Sequence, residues 1–129
     1  MWVCVNNGFV SVVEDWNDPN YLIVRARRHS DLRDFMDDVK FKISYTPNND
    51  YRYRARVGRE DFEAMLVRAA KKIDYTNFKA SVKDEHLSRM YHEVWYSGLQ
   101  NLDPDWWIRR DFLTNAPKDS QTLYPVRSK

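Results

Sequence analysis

The sequence is poor in cysteine and glycine and has no long run of apolar residues. Of its 129 residues, one is cysteine and three are glycine. A single cysteine excludes an internal disulfide framework and a multi-cysteine zinc site. The glycines form neither a G-x-G-x-x-G pattern nor a P-loop, so the common nucleotide-binding motifs are absent. The apolar runs are too short to cross a bilayer, and the first residues lack the order of a secretory signal.

What is present is the composition of a folded domain with a local excess of positive charge. Hydrophobic residues make up 43% and charged residues 31% of the chain, a mixture that can bury a core without disulfides. The net charge of +2 is unevenly distributed. Residues 1–24 sum to −3, residues 25–59 to +5 and residues 60–129 to zero. A basic surface formed by the second segment can therefore matter for binding.

The first part of the chain predicts three strands and a short helix. Two β-branched runs flank Asn7-Gly8, a pair that tolerates the positive φ angles of a type I′ turn, so we expect a tight hairpin. Residues 21–28 form a third alternating run. Ser30 is a suitable N-cap for the helix that follows.

A second hairpin is expected from two segments that alternate apolar and basic side chains. They are residues 40–45 and residues 51–57, and a turn separates them. Successive side chains of a strand point to opposite faces, so each segment has one apolar and one basic side. The basic side consists of Lys40, Lys42, Arg52, Arg54 and Arg56.

From Arg59 onward the period becomes helical. A first amphipathic stripe contains Phe62, Met65, Leu66, Ala69 and Ile73. Ser81 and Asp84 resemble a capping box. A second helix is expected behind them, with Gly98 and Pro104 bounding its end.

The order βββα-ββ-αα predicts an α+β fold. Its simplest form is a mostly antiparallel sheet of about five strands with helices packed on one face. We expect residues 1–102 to form this single domain. Residues 103–129 carry aromatic residues and prolines with little periodicity, and we expect them to form an extended C-terminal arm.

Three short motifs carry a resemblance to known proteins. They are N-G-F at residues 7–9, L-I-V-R-A-R-R at residues 22–28 and I-D-Y-T-N-F-K at residues 73–79. With them the chain resembles a family of small, largely uncharacterised proteins encoded by bacteriophages and bacteria. The resemblance implies an accessory gene of phage or bacterial type. The single cysteine fits a reducing compartment, so we expect a cytoplasmic protein, in the host cell if a phage encodes it. It implies no catalytic residue, no cofactor and no established activity.

The first candidate site is a basic sheet face. If the strands share one sheet, seven cations cover one solvent face: Arg25, Arg27, Lys40, Lys42, Arg52, Arg54 and Arg56. Such a face could bind nucleic acid, bind an acidic protein or simply keep the protein soluble. Tyr51, Tyr53 and Phe41 are expected on the core face, which argues against a platform for stacking bases.

The second candidate site is the aromatic pair Trp106 and Trp107 in the C-terminal arm. Tryptophan dominates many interface hot spots. The pair could pack on its own domain, dock on a partner or join two copies of the chain.

Other chemistry finds little support in the sequence. His86 and His92 are six residues apart, a spacing that puts them on different faces of a helix, and His29 is far from both. Cys4 lies in an apolar strand and is expected to be buried. We therefore expect no metal site, no catalytic residue and no cofactor.

Together these observations favour a non-enzymatic accessory protein of a phage or bacterium that binds a host macromolecule. The expected partner is a host protein, bound to modulate a host or defence process. Nucleic-acid binding through the basic sheet face is the first alternative, and a small enzyme with an unrecognised site is the second.

Overall fold

The computed structural model describes residues 1–37, 40–103, 105 and 108. The chain divides into two compact units, residues 1–89 and residues 90–129. The first unit contains the whole sheet. The expected boundary at residue 102 stays a prediction.

Five strands form one antiparallel sheet in the first unit. They are β1 (Trp2–Val5), β2 (Gly8–Glu14), β3 (Tyr21–Ala26), β4 (Ser44–Tyr45) and β5 (Tyr53–Gly58), in the spatial order β1-β2-β3-β5-β4. Each neighbouring pair is antiparallel. The α+β class and the βββα-ββ-αα order are confirmed, with one additional helical turn between the last two predicted helices.

Within the described part of the chain, four helices accompany the sheet. They are α1 (His29–Met36), α2 (Arg59–Lys71), the single turn α3 (Phe78–Ser81) and α4 (Glu85–Leu102). α1 and α2 pack on the sheet. α4 begins at the end of the first unit and continues into the second, and it ends at Leu102, between Gly98 and Pro104 as predicted.

The core lies between one face of the sheet and the helices α1 and α2. The alternation of β3 is responsible, because Leu22, Val24 and Ala26 are buried on this face. From the helices, Leu32 and Met65 are almost fully buried. The other face of the sheet is therefore the one that α1 and α2 leave uncovered.

The first hairpin forms, but around a different turn. Val5 pairs with Gly8, so the turn residues are Asn6 and Asn7. Among the described residues only Asp37 has a positive φ, and the predicted type I′ turn at Asn7-Gly8 is therefore wrong. Gly8 matters for another reason. A Cβ at this position would lie 3.3 Å from the Asp31 Cα, so glycine permits the close approach of α1 to β2.

Three further local predictions are corrected. The segment before β4 is irregular, because only Ser44 and Tyr45 pair with β5. α1 begins before Ser30, and its N-cap position, Arg28, makes no side-chain cap bond. The capping box at Ser81 does not form, since the Asp84 carboxylate itself accepts the Leu87 N–H at 2.9 Å and caps α4.

Candidate binding interface

The sheet face opposite the core carries a row of polar side chains across three strands. Ser11 of β2 lies beside Arg25 of β3, and Arg25 lies beside Arg54 of β5. The Arg25 Nη2 donates to the Ser11 Oγ at 2.6 Å. This contact holds the Arg25 side chain against the sheet, where its Nε is buried and has no acceptor among the described residues. Strand alternation alone predicts this row.

Tyr51 belongs to this face, contrary to the sequence expectation. Its ring lies 4.7 Å from the Arg25 guanidinium carbon and 4.4 Å from that of Arg27. It also lies 6.4 Å from the ring of Phe9. Guanidinium groups are attracted to the faces of aromatic rings, so this arrangement buries Tyr51 and orients both arginines.

The correction for Tyr51 has a local cause. Tyr51 precedes the first residue of β5, so the strand period does not determine where its side chain goes. The Arg54 Nε donates to the Tyr51 carbonyl at 3.2 Å, which fixes the chain at this point. The expectations for Tyr53 and Phe41 are confirmed, because both pack against the core cluster.

Arg56 lies on the same face but is already engaged. It forms an ion pair with Asp15 at 2.5 Å and lies 3.9 Å from a carboxylate oxygen of Asp18. Its guanidinium carbon is 3.6 Å from the Tyr21 ring centroid. The pKa of Asp15 is lowered, first by the backbone N–H of Asn17 and then by Arg56. Arg56 is therefore poorly suited to binding a further anion.

The two lysines are placed differently from the arginines. The Lys40 Nζ lies 3.4 Å from a carboxylate oxygen of Asp61 in α2 and 4.8 Å from the Phe41 ring. Its assignment to the basic sheet face is therefore wrong. Lys42 is exposed in the irregular segment before β4. The irregular backbone removes the alternation on which both assignments depended.

Four arginines keep their charge uncompensated on this sheet face. Within residues 1–37 and 40–103, Arg25, Arg27, Arg52 and Arg54 have no ion pair with a carboxylate. Arg52 is exposed directly before β5, and its carbonyl accepts the Thr46 N–H at 2.7 Å. This bond extends the pairing of β4 with β5 by one residue, so Arg52 shares the strand phase of Arg54.

Exposed apolar side chains accompany these arginines. Trp2 is 72% exposed although its ring contacts that of Phe9 edge to face at 6.0 Å. Val13 is 39% exposed and lies beside Ile23, which is partly buried. We call the set of Trp2, Val13, Ile23, Arg25, Arg27, Arg52 and Arg54 the arginine face. The sequence contains the signal for its apolar part, since Trp2 and Val13 share the strand phase of Ser11.

The remaining candidates that lie within the described residues do not form a second site of this kind. Among the described residues no group of three histidine, cysteine, aspartate or glutamate side chains could hold a metal ion. His29 contacts the Tyr53 ring edge to face at 5.5 Å. Cys4 is exposed, so the expectation of a buried cysteine is wrong. Trp106 and Trp107 lie outside the described residues.

No described helix has both the length and the apolar character needed to cross a membrane. Comparison with protein-family models, with curated proteins and with solved structures finds no match to this chain.

Proposed function

We propose that this chain is a non-enzymatic binding protein and that its arginine face docks on an acidic surface of a partner protein. The observation that carries the proposal is the combination of four arginines that pair with no carboxylate of residues 1–37 and 40–103 and an exposed tryptophan on the same sheet face. Arg27 and Arg52 supply exposed charge, and Trp2 supplies exposed apolar area.

The mixture of side chains favours a protein as the partner. Val13 and Ile23 form an aliphatic pair on the face, which would add little to the binding of a phosphate backbone. Arginine and tryptophan are enriched in the hot spots of protein interfaces, where an apolar centre is surrounded by polar groups. Tyr51 is buried under Arg25 and Arg27, so its ring is not open to a nucleic-acid base.

The motif resemblance described above supports a bacterial host protein as the partner. An accessory protein of a phage or bacterium that binds a host protein can modulate a host or defence process without chemistry of its own. Trp106 and Trp107 lie outside the described residues, and their role in binding stays a separate prediction from the sequence.

The test compares two double variants in an affinity capture from bacterial lysate treated with nuclease. Arg27→Ser with Arg52→Ser removes two exposed charges from the arginine face. Arg33→Ser with Arg89→Ser removes two exposed charges from α1 and α4 and is the matched control. We expect one stoichiometric partner whose affinity falls about tenfold or more in the first variant only. Equal binding by wild type and the first variant would refute the proposal.

Nucleic acid is the second candidate, because four uncompensated arginines on one face also suit a row of phosphates. This candidate predicts that capture is lost on nuclease treatment. It also predicts that the affinity for a DNA or RNA probe falls steeply with salt, with a slope that decreases in the Arg27→Ser, Arg52→Ser variant.

A further inference from the structure

A cavity of about 240 Å³ lies inside the first unit, away from the arginine face. Its walls come from β1 and the turn after it, from α1 and from the C-terminal half of α2. These elements are far apart in the sequence, so the cavity exists only in the folded chain. A closed apolar cavity of about 150 Å³ can hold benzene, which means that this one has room for a single ring or short chain with a small polar group.

The inner part of the cavity is apolar. Met65 and Phe35 are 1% and 8% exposed and form its floor. Val3 and Val5 line the side formed by β1. Apolar ligand groups placed here would leave water and contact hydrocarbon on several sides, which is the usual driving force for small-molecule binding.

The outer part of the cavity is cationic. Met65, Arg68, Ala69, Lys72 and Ile73 follow one another along a single side of α2 and its last turn. This stripe runs from the buried Met65 to Ile73, which is 58% exposed. Arg68 and Lys72 are therefore positioned between the apolar floor and the solvent.

Both cations retain capacity for a ligand. The Arg68 Nη2 donates to the Met36 carbonyl at 2.6 Å, and a guanidinium has further N–H donors. The Lys72 Nζ is 4.0 Å from a carboxylate oxygen of Asp37, and both of these side chains are largely exposed, so this pair is weak.

One acidic side chain limits the charge that the cavity can accept. Asp34 also lines the cavity, and its carboxylate accepts from the Arg33 Nε at 2.9 Å. Two cations and one carboxylate at the opening leave a single positive charge, which matches a monoanion better than a dianion.

We propose that this cavity binds a small amphipathic carboxylate, in which one ring or short alkyl chain carries a single carboxylate group. The apolar body lies over Met65 and Phe35, and the carboxylate accepts hydrogen bonds from Arg68 and Lys72. This site is independent of the arginine face, so a ligand here would be a second binding activity of the chain.

The test uses two matched pairs of probes, phenylacetate with phenylacetamide and hexanoate with hexanamide. The two members of each pair share the same apolar body, and only the acid is charged. Binding is measured by titration followed by NMR of the full chain at concentrations up to about 10 mM. We expect at least one acid to bind about tenfold more tightly than its amide, because hydrogen bonds to a charged group are the stronger ones. The methyl signals of Val3, Val5 and Met65 should shift, and those of Val13 should not.

A pair of neighbouring lysines supplies the control. Lys72 lines the cavity, and Lys71 is equally charged and exposed but does not line it. We expect Lys72→Met to weaken acid binding about threefold to fivefold and Lys71→Met to leave it unchanged. The proposal is overturned if neither acid saturates the protein, if acid and amide bind equally, or if the shifts lie outside the cavity. Equal effects of the two lysine variants would also overturn it.

Discussion

At the scale of single residues, Asp31 joins more parts of the fold than any sequence pattern indicates. It is 4% exposed and accepts hydrogen bonds from the Arg28 Nε and Nη2 and from the backbone N–H of Phe9, the last at 3.3 Å. The Arg28 Nη1 donates to Asp84 at 2.8 Å. Asp31 thus connects α1 to β2 and, through Arg28, to the start of α4.

We predict that Asp31→Ala lowers the free energy of unfolding by about 2–3 kcal/mol, because it leaves donors of Arg28 and Phe9 without their acceptor. The matched control is Asp34→Ala, which breaks an exposed ion pair with Arg33 and should cost no more than about 0.5 kcal/mol. Urea unfolding of the two variants checks the prediction. Similar losses in both would show that Asp31 has no special role.

At the scale of elements, the fold depends on how closely α1 can approach the first hairpin. Gly8 lies in β2 directly against Asp31, and the hydrogen bonds of Asp31 prevent that residue from moving away. Gly98 is the contrasting case. It lies within α4, and a Cβ there would have no neighbour within 4 Å.

The two glycines should therefore respond oppositely to a side chain. Gly8→Val should destabilise the protein by about 1–3 kcal/mol, since it forces α1 away from β2. Gly98→Ala should stabilise it by about 0.5–1 kcal/mol, because alanine loses less conformational freedom in a helix. Thermal unfolding followed by circular dichroism measures both, and a stabilising effect of Gly8→Val would contradict the packing described here.

At the scale of the whole molecule, the sheet separates two kinds of chemistry. Its inner face and the helices α1 and α2 form the hydrophobic core. Its outer face carries the residues of the arginine face. Ion pairs at the margins of this arrangement connect elements. Asp15 binds Arg56 across the sheet, and Asp84 binds Arg28. Both pairs need ionised carboxylates, so the protein should lose stability when acid protonates them.

We predict that Asp15 and Asp84 stabilise the fold at neutral pH and cease to do so in acid. The pKa of Asp84 is lowered by the backbone N–H of Leu87 and then by Arg28, and the pKa of Asp15 is lowered as described above. As the pH falls through the ordinary value of 3.8, the unfolded chain therefore binds protons before the folded protein does. The free energy of unfolding declines over this range, until the pH also passes the lower pKa values of the folded protein.

The Asp15→Asn, Asp84→Asn double variant tests this sign. The asparagine side-chain oxygen can still accept the backbone N–H groups of Asn17 and Leu87, but asparagine carries no charge. The variant should be less stable than wild type at pH 7, and the difference should shrink as the pH falls below 3.8 and the two carboxylates become protonated. Urea unfolding across this range is the measurement, and a difference that persists or grows in acid would contradict the assignment.

The sequence by itself determined the features that depend on local periodicity. The alternation of Leu22, Val24 and Ala26 defines the inner face of β3, and the helical spacing from Phe62 to Ala69 defines the buried side of α2. Strand alternation also places Arg25 and Arg54 on the outer face of the sheet. These predictions hold because the geometry of a strand or helix orients each side chain relative to its neighbours in the chain.

Only the tertiary structure decided what lies at the ends of elements and between them. Tyr51 and Lys40 precede strands, so contacts with Arg25, Arg27 and Asp61 orient their side chains. The cavity beside Met65 needs β1, α1 and α2 together. Where no regular backbone fixes a direction, a side chain follows its partners in space, and pairings between distant segments bring those partners to it.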